Sequence, residues 1–242
     1  MDHSSPHSGS GATSAHDATR RALLNAAADV FAEVGFRQAT VRDICSRAGA
    51  NVAAVNYHFG DKESLYGEVL AEQNRIALEL HPVPTPKSGT PPELRLEEFI
   101  RSFLQRVLSE ELSARHGRMM AREMVEPTRA LDRLVAESIR PTSTALFEIL
   151  RDLVGPRASN DSLRLLGMSV VGQILFYCHC QPVLQRLFPD TPFNSGQLEQ
   201  LTRHITDFSL AGVRGLKAEK ADESRTPRPK RFPRRQPTRS RR

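Results

Sequence analysis

The 242-residue sequence predicts an all-α protein made of two helical domains. Three observations lead there. Apolar residues recur at three- and four-residue spacing, with no strand-like alternation longer than a few residues. Aromatic residues make up only 6% and Trp is absent, which removes the aromatic strand pairs that sandwiches and barrels favour. A composition of 39% hydrophobic and 26% charged residues still supplies a folded core. No stretch approaches the ~18 apolar residues of a membrane span, and Met1–Ser14 lacks both a basic n-region and an apolar h-region. A soluble, cytoplasmic protein with no membrane partner is therefore expected. Cys45, Cys178 and Cys180 cannot all pair, which fits free thiols in a reducing compartment.

Taken in order, residues 1–16 are Ser/Gly/His-rich and read as a disordered leader. From Ala18 to Val34, the stripe Leu23, Ala26, Ala27, Val30, Phe31 and Val34 predicts a helix, which Gly35 ends. Thr40 with Asp43 three residues on predicts a capping box for a second helix that Gly49 breaks. Asn51 caps a third helix over about Val52–Tyr57, and Asp61 a longer one reaching about Leu80. These elements form an N-terminal domain over 17–80. Five prolines in 81–92 make a stiff linker.

The second domain, 93–216, reads as five helices. The first covers about 93–112 and a shorter one about 114–125, stopping at Pro127. Thr128–Leu153 is a long helix that Pro141 should kink, and Asp161–Cys180 and Gln197–Leu216 follow. The 161–180 helix is apolar around most of its circumference, so it must be buried on more than one side. The segment 217–242 has no apolar face and reads as a disordered tail. It holds eleven Lys/Arg against three acids, so the formal charge of +6 belongs to it; the rest of the chain has 23 basic and 25 acidic residues.

The informative stretch is Thr40–Phe59, where helix, Gly-containing turn and helix present a second helix to a DNA major groove. Thr40 and Arg42 lie at a helix N-terminus suited to a phosphate. Val52, Ala53 and Ala54 are small enough for close approach to base edges, and Asn56 can pair with adenine. Tyr57, His58 and Lys62 offer phosphate donors, and Asn51 opens the helix, so the expected DNA-binding set is Thr40, Arg42, Asn51, Val52, Ala53, Asn56, Tyr57, His58 and Lys62.

The run Phe-x-x-x-Gly-Phe, Thr-Val-x-Asp-Ile, Ala-Gly and Tyr-His-Phe-Gly-Asp-Lys-Glu-x-Leu over about 17–77 resembles the N-terminal domain of TetR/AcrR-type transcriptional regulators. The stretches REMVEPTRALDRLVAESIRP, LRLLGMSVVGQILFYCHCQPVL and HITDFSLAGVRGL are similar to the CecR/CerR-type C-terminal domain. The resemblance implies a homodimeric repressor bound to a pseudo-palindromic operator in double-stranded DNA. It pairs through 161–180 and 197–216 and is relieved by a small lipophilic effector. Regulation of neighbouring, efflux-related genes would fit the family. An activator, or a nucleoid-like binder acting through the basic tail, is the alternative.

For the effector, soft and polar side chains of the second domain are the candidates: Arg118, Met119, Arg122, Glu123, Phe147, Gln173, Phe176, Tyr177 and His179. Their plain reading is core. On a helix, Cys178, His179 and Cys180 point about 100° apart and cannot converge on one ion, so no metal and no cofactor is expected. No carboxylate pair, nucleophile elbow or phosphate loop suggests an enzyme.

Overall fold

The computed structural model describes residues 10–85, 89–109, 113–156, 158–190 and 195–223, and among these there is no strand. Four helices form the N-terminal unit: α1 (Ser10–Gln38), α2 (Val41–Ala48), α3 (Val52–Phe59) and α4 (Lys62–Leu80). The caps read from sequence are made. Thr40 Oγ1 accepts from Asp43 N at 3.1 Å, and Asp43 Oδ2 takes the Thr40 hydroxyl at 2.6 Å. The reciprocal bond of the box thus goes to the hydroxyl rather than to a backbone N–H. Asn51 Oδ1 accepts from Ala53 N, and Asp61 Oδ1 from Ser64 N. That backbone N–H holds the Asp61 carboxyl below its ordinary pKa. Gly49 closes α2 in the left-handed conformation (φ 63°, ψ 31°), which costs a residue without Cβ nothing.

After the linker come α5 (Pro92–Leu108), a π-helical turn Ser113–Gly117, α6 (Arg118–Val125) and α7 (Ala130–Leu134). Then follow a second π turn Val135–Ile139, α8 (Arg140–Val154), α9 (Asn160–His179), α10 (Gln181–Leu187) and α11 (Leu198–Glu223). The chain passes Pro141 without a gap between α7 and α8. Pro141 brings no N–H, and the turn before it widens, with Arg140 N–H reaching Val135 O, five residues back.

Two expectations need correction. The leader is helical from Ser10, since Ala12, Ala15 and Ala18 favour helix and no Pro or Gly follows Gly11 until Gly35; residues 1–9 lie outside the described residues. At the other end α11 runs through Glu223, because Lys217–Glu223 is built of strong helix formers; 224–242 lie outside the described residues. The short α10, bent 72° from α9, was not anticipated from the sequence.

The hydrophobic clusters do not follow the linker. The first joins Leu23, Phe31, Ile44, Val55, Leu65 and Tyr66 of the N-terminal helices to Met119, Ala130 and Leu134 of the second half. The second packs α5, α8, α9 and α11 through residues such as Leu96, Phe99, Leu150, Val170 and Ile205. Segment 113–139 is thus an elbow reaching from the helical bundle onto the N-terminal unit.

Within that elbow, His116 has a buried Nε2 without a partner, and burial pushes its pKa down to about 4. A depressed imidazole pKa means that the unfolded chain takes up the proton first, so stability present above the unfolded pKa is lost as pH falls from about 6.5 to 4. The expected contribution is about 3 kcal/mol. Thermal melts of the wild type and of His116→Leu between pH 7.5 and 4.5 check this: the variant should lose less stability on acidification, and parallel curves would count against it.

Candidate nucleic-acid interface

The sequence places one face of α3 in the open. Val52, Ala53, Asn56 and Tyr57 are exposed, Tyr57 at 75%, while Val55 and Phe59 on the opposite face are buried in the first cluster. Ala54 and His58 are half-buried at the edges. An eight-residue helix so divided holds its apolar side against α1, α2 and α4 and offers small and amide side chains outward. Those are the groups that fit base edges. Thr40 and Arg42 are exposed at the start of α2, and Arg42 makes no ion pair among the described residues. Asn51 is exposed but already spends its carbonyl oxygen on the cap of α3.

Lys62 departs from its expected place. Its ammonium donates to Phe36 O and Ala39 O, both at 3.0 Å, and lies 4.5 Å from the Phe36 ring centroid. It serves the carbonyls at the end of α1 rather than projecting as a phosphate donor. Lys62→Met should therefore lower stability by about 1–2 kcal/mol, read from the thermal midpoint; an unchanged midpoint would contradict that role. His58 is also constrained, with a buried Nδ1 that has no partner and a pKa lowered by burial and by His16 and Arg20. Arg47 is engaged by Glu33 at 2.8 and 2.9 Å.

Behind this face, α4 is gripped along its length. At its N-terminal end Tyr66 donates to Glu123 Oε2 at 2.8 Å, while Glu123 Oε1 accepts from Thr128 N and Oγ1. Burial, and then the Glu123 carboxylate, pushes the Tyr66 hydroxyl pKa up and keeps it a donor. Further along, Asn74 donates to Ser138 Oγ of the second π turn. Just past its end, Arg106 and Ser102 of α5 donate to His81 O and Pro82 O. Gly35 completes the contact with the elbow. Its φ is +81°, and a Cβ there would overlap Arg122 Nη1, so Gly35 lets Arg122 reach Glu33 O at 2.9 Å.

The nine effector candidates are not brought together. Met119 is fully buried in the first cluster, where Met119→Trp would overpack the core rather than tune a cavity, and Glu123 is fully buried against Tyr66. Arg118 is exposed beside them, and Arg122 lines a cleft of about 820 Å³ between α1, α4 and α6 with Val34, Phe36, Tyr66 and Val125. Phe147 and Tyr177 pack against the second cluster, Phe147 on Gly167 of α9. Gln173 donates back to Ser169 O of its own helix, and Phe176 and His179 are exposed. The residues divide because periodicity marks an apolar face but not what that face meets.

Residues 92–213 match the domain family described as HTH-type transcriptional dual regulator CecR, C-terminal domain, and residues 23–69 match the bacterial regulatory proteins, tetR family. The chain belongs to the TetR family of transcriptional regulators. It is similar to the HTH-type transcriptional dual regulator CecR of Shigella flexneri, with 28% identity over 208 residues that cover 80% of this chain and 92% of that protein. The HTH-type transcriptional repressor KstR2 of Rhodococcus jostii (strain RHA1) is 45% identical over 58 residues, 24% of this chain and 28% of the relative. Among solved structures, a SmeT–triclosan complex superposes with a TM-score of 0.58 at 22% identity, covering 81% of this chain and 91% of that one. A TetR-family regulator from Mesorhizobium loti gives 0.52 at 20% identity, covering 83% and 97%. These likenesses establish the fold. The relatives are transcriptional regulators rather than enzymes, and the family binds DNA.

Proposed function

We propose that this TetR-family regulator acts as a homodimeric repressor whose two α3 helices read the half-sites of a pseudo-palindrome, and that a small lipophilic effector relieves it. One observation carries the dimer. Leu165, Met168 and Phe176 of α9 are 63%, 62% and 50% exposed, and Phe208 of α11 is 61% exposed. The α9 side chains follow the spacing of one helical stripe, with Gly172 in line. Gly172 and Gly215 have nothing within 4 Å, so this face admits a close helical partner. A second copy of the same face is the self-complementary occupant that a two-fold axis provides.

Arg42, Tyr57 and His58 would set affinity, and Val52, Ala53 and Asn56 sequence choice. The proposed effector is a small lipophilic molecule. This is supported by the triclosan bound to the fold neighbour SmeT and by the grips on α4, through which the bundle can move the reading head. Activation at some promoters is a second reading, favoured by the name dual regulator carried by the Shigella flexneri relative.

Selection of duplexes from a random-sequence library by the full chain tests the reading directly. The enriched sites should be inverted repeats with half-sites about 34 Å apart. On them, Asn56→Ala should change base preference at one position, whereas Arg42→Ala should weaken every sequence alike. Enrichment of direct repeats, or equal losses on all sequences from both changes, would contradict the arrangement.

A further inference from the structure

The family match begins at Leu23, yet α1 begins earlier and carries His16 onto the recognition helix. The His16 ring stands edge-on to Tyr57 at 5.6 Å and 4.4 Å from the ring of His58. Both His16 and Tyr57 are exposed, and Tyr57 shares the outward face of α3 with Asn56. Arg20, one turn on, is paired with Glu68 and lies over the Phe59 ring. The Asp17 carboxylate sits 3.6 Å from His16 Nδ1.

We propose that His16 is a DNA-contacting residue: together with Tyr57 it grips a phosphate at the outer end of each α3, extending the contact beyond the helix-turn-helix. An imidazole N–H donates to a phosphate oxygen as readily as a phenol does, and the bond strengthens when the donor is charged. The ring contact with Tyr57 holds both donors on one edge of the reading face, so the phosphates they reach are neighbours on one strand. The inference rests on the operator reading above, and its test separates the two.

With a duplex enriched by the full chain, phosphate-ethylation interference is mapped for the wild type, His16→Ala, Tyr57→Phe and His16→Lys. We expect His16→Ala to weaken binding about fivefold and to erase interference at one phosphate per half-site. That phosphate should adjoin the one lost in Tyr57→Phe. His16→Lys should regain the affinity and steepen the log–log salt slope by about 0.9 per half-site. An interference map unchanged in His16→Ala, or one that loses only the Tyr57 phosphate, would overturn the assignment, the second outcome showing that His16 merely props Tyr57. Failure to enrich any duplex would instead remove the operator reading on which the assignment depends.

Discussion

Replacing both Phe208 and Phe176 with Glu is expected to convert the protein to a monomer and to weaken binding to a palindrome by roughly 10²–10⁴-fold. Each exposed Phe is expected to contribute about 1.5–3 kcal/mol when a partner copy covers it. Placing a charge in that seam adds the cost of an unpaired ion. Binding of two linked heads to two half-sites exceeds the affinity of one by the effective concentration of the second, which is where the predicted factor comes from. Binding isotherms on full and half-site duplexes separate the terms. The double variant should bind both alike, because it has lost the linkage and kept the α3 face. Undiminished preference for the full palindrome would contradict the placement of the seam.

The second large effect lies at Glu123. This carboxylate is fully buried and satisfies Tyr66 from α4 and Thr128 from the turn before α7. Glu123→Ala leaves the Tyr66 hydroxyl and the Thr128 N–H without their acceptor in a closed core, and about 3 kcal/mol or more of stability should be lost. Tyr66→Phe removes one hydroxyl and should cost about 1–2 kcal/mol. Because the two groups share one bond, the double variant should cost less than the sum, with a coupling of roughly 0.5–3 kcal/mol from denaturant titrations. Additive losses would mean that the bond does not join α4 to the elbow energetically.

The parts of this molecule legible in its sequence are those governed by local chemistry. Thr40, Asn51 and Asp61 cap because a short oxygen-bearing side chain meets free N–H groups within three residues, wherever the helix later packs. Gly49 ends α2 for an equally local reason. The exposed face of α3 follows from the burial of Val55 and Phe59 at helical spacing. The all-round apolar pattern of 161–180 also left its mark, as the stripe from Leu165 to Phe176 that the single chain leaves uncovered.

What sequence reasoning missed is tertiary. Lys62 opens a helix like many phosphate donors, but its partners are two carbonyls more than twenty residues away. Met119 and Glu123 lie on an amphipathic stretch whose apolar face met the N-terminal core instead of a cavity, and nothing in their spacing distinguishes the two. His16 falls in a Ser/Gly/His-rich segment without periodicity, and its approach to Tyr57 depends on how α1 crosses α3. The widened turn ahead of Pro141 was half legible. The missing N–H called for a break in register, and only the structure shows that the helix absorbs it as a π turn.

Equilibrium sedimentation of the full chain, alone at micromolar concentration and then on a duplex carrying a single enriched palindrome, bears most directly on the two-copy arrangement. Two 27.0 kDa chains are expected in both cases, on DNA as the mass added to that of the duplex, with both half-sites occupied together. A single-chain mass in solution, with one half-site occupied independently of the other, would contradict it.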